Sequence, residues 1–206
     1  DHLQQEGFEI TQLPVQADGL LDIIKFEESI RPDTILVSVM HVNNEIGIIQ
    51  PIREIGAICK KKRIIFHVDA AQSIGKIPVN VNEMEIDLLS ISAHKIYGPK
   101  GVGALYIRRK DPRVQLQPII FGGGHEQGIR SGTLPVPNIV GLGKACELAE
   151  KLMDKEIRKQ EALRDQLLDS IMKDNPNIII NGTMEKRIAG NLNIRFPGMK
   201  NEAIIA

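Results

Sequence analysis

The chain has 206 residues, of which 42% are hydrophobic and 25% are charged. Its 26 basic and 26 acidic residues give a formal net charge of zero, which argues against a nucleic-acid-binding protein. No apolar run is long enough to span a membrane, and two cysteines are too few for a disulfide framework. These numbers favour a globular protein from a reducing compartment, and no targeting segment is visible.

The first half of the chain alternates predicted strands and helices. A short strand is predicted at residues 8–11, and a helix at residues 20–30 that ends before Pro32. Residues 34–42 form a nearly continuous apolar, β-branched run, which is typical of a strand buried on both faces. A helix begins near Pro51 and ends in three lysines, which suit the negative end of its dipole. Three more strands are predicted at residues 64–68, 88–92 and 103–108. This order predicts an α/β fold with parallel pairing.

The second half has a different pattern. Three consecutive glycines at residues 122–124 precede a long amphipathic helix, which is predicted over residues 138–173. Two further strands are predicted at residues 177–180 and 191–196. A helix followed by two strands predicts the start of a second, smaller domain.

Both ends of the chain look cut. The first residue is Asp1 rather than Met, and residues 202–206 read as the beginning of an apolar helix. These features predict that the 206 residues are a central fragment of a larger protein.

Polar side chains follow three of the predicted strands. Ligands of open α/β sheets bind beyond the carboxyl ends of the strands, so we expect these side chains to share one site. In chain order they are Asn44, then Asp69 and Gln72, then Ser92, His94 and Lys95.

This set of side chains matches the needs of pyridoxal phosphate. A lysine such as Lys95 can form a Schiff base with an aldehyde cofactor. A carboxylate such as Asp69 beside the ring nitrogen keeps that nitrogen protonated, so that the ring can accept electrons. The remaining donors are Gln72 or Asn44 for the phenolic oxygen, and Ser92 with His94 for the phosphate.

Each residue also has an ordinary structural interpretation. A strand-end aspartate is often only a helix cap, and a single lysine is usually solvated. Gly98, Gly101 and Gly103 do not form a nucleotide-binding motif, because a strand follows them rather than a helix. The five histidines and two cysteines lack the spacing of metal ligands, so no metal is predicted. The hypothesis therefore rests on the joint pattern.

Four motifs carry a family resemblance. The segments HVNNEIG, HVDAAQ, SAHKIYGPKG and GGGHEQGIRSGT occur in this order along the chain. They resemble the cysteine desulfurases of the iron–sulfur cluster assembly type, which are class V pyridoxal-phosphate enzymes of fold type I. The resemblance covers nearly the whole chain. It implies that residues 1–124 are part of the large cofactor-binding domain, with a mainly parallel sheet. Residues 125–206 would hold an interface loop, the long helix and part of a smaller α+β C-terminal domain.

The resemblance also implies a role for each matched residue. Lys95 would be the Schiff-base lysine and the general acid/base, and Asp69 would pair with the pyridine nitrogen. The other expected contacts are Gln72 and Asn44 at the phenolic oxygen, Ser92 and His94 at the phosphate, and Thr133 at the phosphate of the partner subunit. The last contact implies a homodimer.

The implied reaction converts L-cysteine to L-alanine. The sulfur would pass as a persulfide to an iron–sulfur scaffold or another acceptor protein, in the bacterial cytoplasm or the mitochondrial matrix. The family's sulfur-accepting cysteine is expected beyond Ala206, and its ring-stacking histidine before Asp1, so we expect this chain alone to be inactive. Cys59 and Cys146 both lie on apolar helix faces and are predicted to be buried and inert.

Two alternatives stay open. A selenocysteine lyase or another class V enzyme would share the cofactor residues. A fragment with a protein-binding role and no turnover is compatible with the charged face of the helix at residues 138–173.

Overall fold

The main sheet of the protein has four strands. The computed structural model describes residues 2–200 and 203–204. The strands are β1 (Leu36–Met40), β2 (Ile65–Asp69), β3 (Leu88–Ser92) and β4 (Gly103–Ile107). They are ordered β1-β2-β3-β4, with the first three parallel and β4 antiparallel to β3. This mainly parallel sheet confirms the predicted α/β fold.

Helices flank the sheet and follow it. They are α1 (His2–Gln5), α2 (Ile23–Ser29), α3 (Ile52–Lys62) and α4 (Val136–Asp174). Helix α2 begins after Asp22, whose carboxylate accepts the N–H groups of Ile24 and Lys25. Helix α3 ends at Arg63, which adopts the left-handed conformation directly after the three lysines. Two short 3-10 helices cover Ala93–Ile96 and Glu126–Gly128.

The hydrophobic core lies between the sheet and α3. Phe66 and Val68 of β2 are fully buried and belong to one cluster with Ile55 and Cys59 of α3. Side chains alternate along a strand, so His67 and Asp69 project from the other face of the sheet. The core therefore fixes one face of the strands, and the polar residues extend from the opposite face.

A buried ion pair joins the strands β3 and β4 at one end. The Nε of Arg108 lies 3.0 Å from Oδ1 of Asp87, and the two side chains are only 11% and 7% exposed. The other carboxylate oxygen accepts the N–H of Phe66 at 2.9 Å. The guanidinium also donates to the carbonyls of Val81 and Ile86, both at 2.8 Å. Hydrogen bonds thus satisfy both charges where they are buried.

The long helix α4 has little buried surface. Of its 39 residues only Leu142 and Ala145 are buried, and they pack against the 3-10 helix Ala93–Ile96. Beyond it, β5 (Ile179–Ile180) and β6 (Ile194–Arg195) pair antiparallel.

The segment after β1 contacts the last part of the chain. Val42 and Ile49 form an antiparallel bridge, so residues 42–49 turn back on themselves. The N–H of Ile49 donates to the carbonyl of Lys186 at 2.7 Å, and the N–H of Ile188 donates to that of Gly47 at 2.9 Å. This hairpin therefore connects the sheet to the residues that follow α4.

The structure corrects several predicted boundaries. Residues 8–11 do not form a strand, since no neighbouring strand pairs with them in the described part of the chain. The helix predicted at residues 20–30 is shorter, because Leu21 instead bridges to Val15 and donates its N–H to Gln50. Strands β5 and β6 have two residues each.

The predicted helix at residues 202–206 is described only at residues 203–204, which are helical; the rest of it lies outside the described residues. No described helix combines the length and apolar character that a membrane crossing requires.

Candidate functional site

Asp69 ends strand β2 at the centre of the parallel part of the sheet. Its Cα partners are Met40 in β1 and Ser90 in β3. Its carbonyl accepts the N–H of His41 at 2.9 Å, and its carboxylate Oδ1 accepts the N–H of Ala71 at 2.9 Å. Asp69 therefore stabilises its own turn, as the structural interpretation of a strand-end aspartate expects, while its side chain is only half-buried.

Lys95 lies on a tight turn after strand β3. Ala93 and Ile96 of the 3-10 helix are buried, while His94 and Lys95 between them are exposed. The N–H of Gly98 donates to the carbonyl of Ala93 at 2.9 Å, which closes the turn. The buried residues thus anchor the turn and direct its two basic side chains outward.

Ser92 and His94 form a pair at the start of this turn. The Oγ of Ser92 lies 2.9 Å from Nδ1 of His94. Ser92 is the last residue of β3, so this hydroxyl–imidazole pair stands at the same edge of the sheet as Asp69. The structure therefore brings three of the predicted residues, Asp69, Ser92 and His94, to one edge.

Gln72 lies in the turn that follows Asp69. Its Oε1 accepts a hydrogen bond from Nζ of Lys76 at 2.9 Å, and both side chains are half-buried. Burial, and secondarily the positive charge of Lys95, lower the pKa of Lys76. The sequence analysis missed Lys76, although its spacing of four residues from Gln72 could have indicated the pair.

Asn44 lies at the tip of the 42–49 hairpin and is exposed. The neighbouring Asn43 holds the turn, because its Oδ1 accepts the N–H groups of Glu45 and Ile46, both at 2.9 Å. Gly47 has a φ of +67°, and a Cβ there would lie 2.4 Å from Cγ of Asn191, so only glycine fits. The hairpin leaves the sheet beside Asp69, because residue 41 is bonded to the Asp69 carbonyl.

His41 is buried at the foot of this hairpin. It is 3% exposed, and its Nδ1 has no hydrogen-bond partner in the part of the chain that the structure describes. Burial lowers its pKa to about 4, so the imidazole is neutral at physiological pH. The sequence analysis gave this histidine no role.

His67 crosses the sheet between two serines. Its Nδ1 lies 2.8 Å from Oγ of Ser38 in β1, and its Nε2 lies 2.9 Å from Oγ of Ser90 in β3. Burial lowers the pKa of His67, whereas the negative charge of Asp69 opposes this shift. His67 and Asp69 are two residues apart in β2, so both side chains lie on the same face of the sheet.

Thr133 lies apart from the strand-edge residues. It is exposed on the loop that follows Ser131, and the Oγ of that buried serine accepts the N–H of Gly124 at 3.2 Å. Among the described residues no hydrogen bond joins Thr133 to Asp69, Gln72 or Lys95.

A cavity of about 510 Å³ lies between α4 and the Lys95 turn. Lys76 and Lys95 line one side of it, and apolar residues such as Leu152 line the other. Asp69 and Ser92 do not contribute to its walls. The cavity therefore adjoins the strand-edge site at the two lysines and is not the site itself.

The sequence profile of the family "Aminotransferase class-V" matches residues 1–206. The chain belongs to the class-V aminotransferase family. The predicted resemblance to cysteine desulfurases is also confirmed by curated relatives. "Cysteine desulfurase IscS" of Glaesserella parasuis serovar 5 is 58% identical over 98% of this chain and 50% of its own length. The mitochondrial cysteine desulfurase of Arabidopsis thaliana is 53% identical over 99% of this chain and 45% of its own.

Solved structures give the same result for this class-V chain. A NifS-like protein is 40% identical and superimposes with a TM-score of 0.92. The match covers 98% of this chain and 55% of the length of the NifS-like protein. DndA from Streptomyces lividans is also 40% identical and superimposes with a TM-score of 0.89. The match covers 99% of this chain and 57% of the length of DndA. These neighbours confirm the predicted fold type I architecture. The chain spans about half the length of the relatives it matches.

The two cysteines of this class-V chain differ in environment. Cys59 is buried as predicted, and burial together with the negative charge of Asp87 raises its pKa to about 12. Cys146 is exposed, so the prediction that it is buried is wrong. Cys146 directly follows buried Ala145 in α4 but does not share its burial. Among the described residues no group of three His, Cys, Asp or Glu side chains could hold a metal ion.

Proposed function

We propose that this chain holds pyridoxal 5′-phosphate and that the complete protein is a cysteine desulfurase, which converts L-cysteine to L-alanine. The observation that carries the proposal is the position of Asp69 and of the Lys95 turn at the carboxyl ends of adjacent parallel strands. Ligands of open α/β sheets bind at this edge. The named relatives support cysteine as the substrate.

The donor set fits the cofactor in chemistry. When bound, the cofactor supplies an aldehyde and an electron-accepting ring. Asp69 uses Oδ1 for the Ala71 N–H, so Oδ2 would meet the pyridine nitrogen and keep its proton in place. The remaining contacts would come from Gln72 and Asn44 at the phenolic oxygen and from the Ser92–His94 pair at the phosphate.

Lys95 would act on the substrate. Its amine would hold the cofactor through the aldehyde carbon, and the same amine, when free, would be the base that moves a proton at the Cα of cysteine. The buried anchors of its turn hold the backbone while the long side chain stays free to reach.

The site would be completed by a partner subunit. We propose a homodimer in which the exposed Thr133 reaches the phosphate held by the other chain. The sulfur would pass to an iron–sulfur scaffold or another acceptor protein, in the cytoplasm of a bacterium or in the mitochondrial matrix, as the relatives from both sources suggest. Cys59 is unsuited to accept sulfur, because burial keeps its thiol protonated.

Trapping of the cofactor tests the proposed lysine. The complete protein should acquire a visible absorbance band with pyridoxal phosphate, and borohydride reduction followed by peptide mapping should find the adduct on Lys95. Lys95→Ala should abolish it, whereas Lys61→Ala, which removes an exposed lysine from α3, should not. Labelling that is the same in wild type and Lys95→Ala would overturn the assignment. A complete protein that binds no cofactor would favour the protein-binding alternative. The 206-residue chain alone is expected to release no sulfide from cysteine.

Substitution of Asp69 separates its two roles. Asp69→Asn retains an oxygen for the Ala71 N–H but cannot hold the ring nitrogen protonated, so alanine formation should fall by about 100-fold or more. Its urea unfolding midpoint should stay close to that of wild type. Full activity of Asp69→Asn would mean that Asp69 only caps the turn.

A further inference from the structure

We propose that Lys76 is a positioning residue that fixes the amide of Gln72 with its NH₂ group facing the cofactor. The inference rests on the proposed function, because it assigns a partner to the amide that would meet the phenolic oxygen. Lys76 itself touches neither substrate nor cofactor in this scheme.

Lys76 and Gln72 differ in hydrogen-bond polarity. A lysine ammonium has three donors and no acceptor, whereas a glutamine amide has one donor end and one acceptor end. The Nζ of Lys76 lies 2.9 Å from Oε1 of Gln72, so the carbonyl end of the amide is occupied by the ammonium. The donor end, Nε2, then points away from Lys76.

The backbone holds the two side chains in this relation. The turn after Asp69 is closed by hydrogen bonds from the N–H of Ile74 to the carbonyl of Ala70 at 3.1 Å and from Lys76 to Ser73 at 3.0 Å. Ser73 is fully buried and its hydroxyl donates to the Ala70 carbonyl at 3.3 Å. The spacing of four residues places Gln72 and Lys76 on one side of this turn.

The orientation decides what the amide offers to a ligand. A deprotonated phenolic oxygen accepts hydrogen bonds, so Nε2 stabilises it and Oε1 would repel it. Without Lys76 the amide could rotate by 180° with little penalty, and the wrong end would face the cofactor part of the time. Lys76 is half-buried, so its ammonium needs this acceptor as much as Gln72 needs the donor.

Lys76 also carries a charge near Lys95, with which it lines the 510 Å³ cavity. A direct effect of that charge on the cofactor must therefore be separated from an effect through Gln72. A double-mutant cycle makes this separation, because two residues that act through one contact are not additive.

The experiment titrates the visible absorbance of bound pyridoxal phosphate in the complete protein. Lys76→Met should raise the pH at the midpoint of this absorbance titration by about one unit, since the phenolic oxygen loses a stable donor. The same substitution should weaken cofactor binding about fivefold. Lys76→Arg keeps a donor, so its titration midpoint and its cofactor affinity should both be close to those of wild type. In a Gln72→Ala background, Lys76→Met should add little further change.

The outcomes separate the inference from the proposed function. If wild type binds the cofactor and Lys76→Met leaves midpoint and affinity unchanged, the positioning role is wrong and the proposed function stands. If Lys76→Met has the same effect with and without Gln72, Lys76 acts by its charge alone and the inference is overturned. If wild type binds no cofactor, the proposed function itself fails. Unfolding midpoints of all variants identify any that fail to fold.

Discussion

The sheet region, residues 36–107, and the long helix α4 are packed in opposite ways. In the sheet region whole side chains such as Phe66 and Ile55 are withdrawn from water. In α4 only Leu142 and Ala145 are buried, and Leu163 and Leu167 are more than half exposed. The sheet region therefore carries its own core, whereas the buried residues of α4 are confined to one short stretch against the Lys95 turn.

This difference explains where the site is built. Asp69 and the Ser92–His94 pair stand at the ends of strands whose other face is packed against α3. Residues that must hold a ligand in one geometry are best placed on elements that packing already fixes. Matched groups in the two regions should therefore respond differently to substitution, chemical modification and pH.

The largest difference is expected between an ion pair of the sheet region and the ion pairs of α4. Asp87→Ala leaves Arg108 without its buried carboxylate and the N–H of Phe66 without an acceptor, so it should lower the unfolding free energy by about 3–5 kcal/mol. Glu147→Ala removes exposed pairs with Lys144 and Lys151 on α4 and should have no measurable effect. Urea unfolding of the two variants measures both. Equal losses would show that α4 is as tightly packed as the sheet.

The second difference concerns thiol chemistry. The pKa of Cys59 is about 12, whereas Cys146 is exposed on α4. At pH 7.5 iodoacetamide should therefore alkylate Cys146 far faster than Cys59, because the thiolate is the reactive form and the buried Cys59 thiol stays protonated. Mass spectrometry of digested samples gives both rates, and urea should remove the difference. Comparable rates in the native protein would contradict the buried position of Cys59.

The smallest difference is a pH dependence that comes from a buried histidine of the sheet region; α4 contains no histidine. His41 has a folded pKa of about 4 against an ordinary value of 6.5, so between these values the unfolded chain binds the extra proton. The part of the unfolding free energy that depends on a neutral His41 is fully present above pH 6.5 and is lost as the pH falls toward 4. Between pH 7 and 4.5 this loss amounts to about 2 kcal/mol.

Urea unfolding at several pH values tests this dependence. His41→Leu removes the titrating ring, so its free energy of unfolding should fall less steeply on acidification than that of wild type. Identical slopes would mean that His41 is not buried in its neutral form.

The sequence predicted the parts of the fold that rest on local pattern. The apolar runs at residues 64–68 and 88–92 placed β2 and β3 within one residue, because buried parallel strands have few other interpretations. The short segment at residues 8–11 was misread, since alternation alone cannot supply a pairing partner. Cys146 was misread because periodicity does not fix which side of the helix packs: Ala145 is buried and Ala149 half-buried, whereas Cys146 is exposed.

The candidate site divides in the same way. The order of motifs predicted that Asp69, Ser92 and His94 meet at one edge, because parallel topology brings strand ends together. The Lys76–Gln72 bond and the burial of His41 depend on side-chain direction and on depth in the fold. Spacing along the chain indicates that Gln72 and Lys76 can pair, but side-chain direction and burial follow only from the folded structure.

The turn that carries Lys95 has a thermodynamic consequence. Residues 93–102 are tied at both ends, because strands β3 and β4 pair directly and the N–H of Ala93 donates to the carbonyl of Val102 at 3.2 Å. A loop closed in this way loses its backbone entropy when the sheet folds, not when a ligand arrives. In the proposed complex, the turn would lose only the rotamer freedom of the Lys95 side chain on binding, which lowers the entropic cost of holding a ligand there.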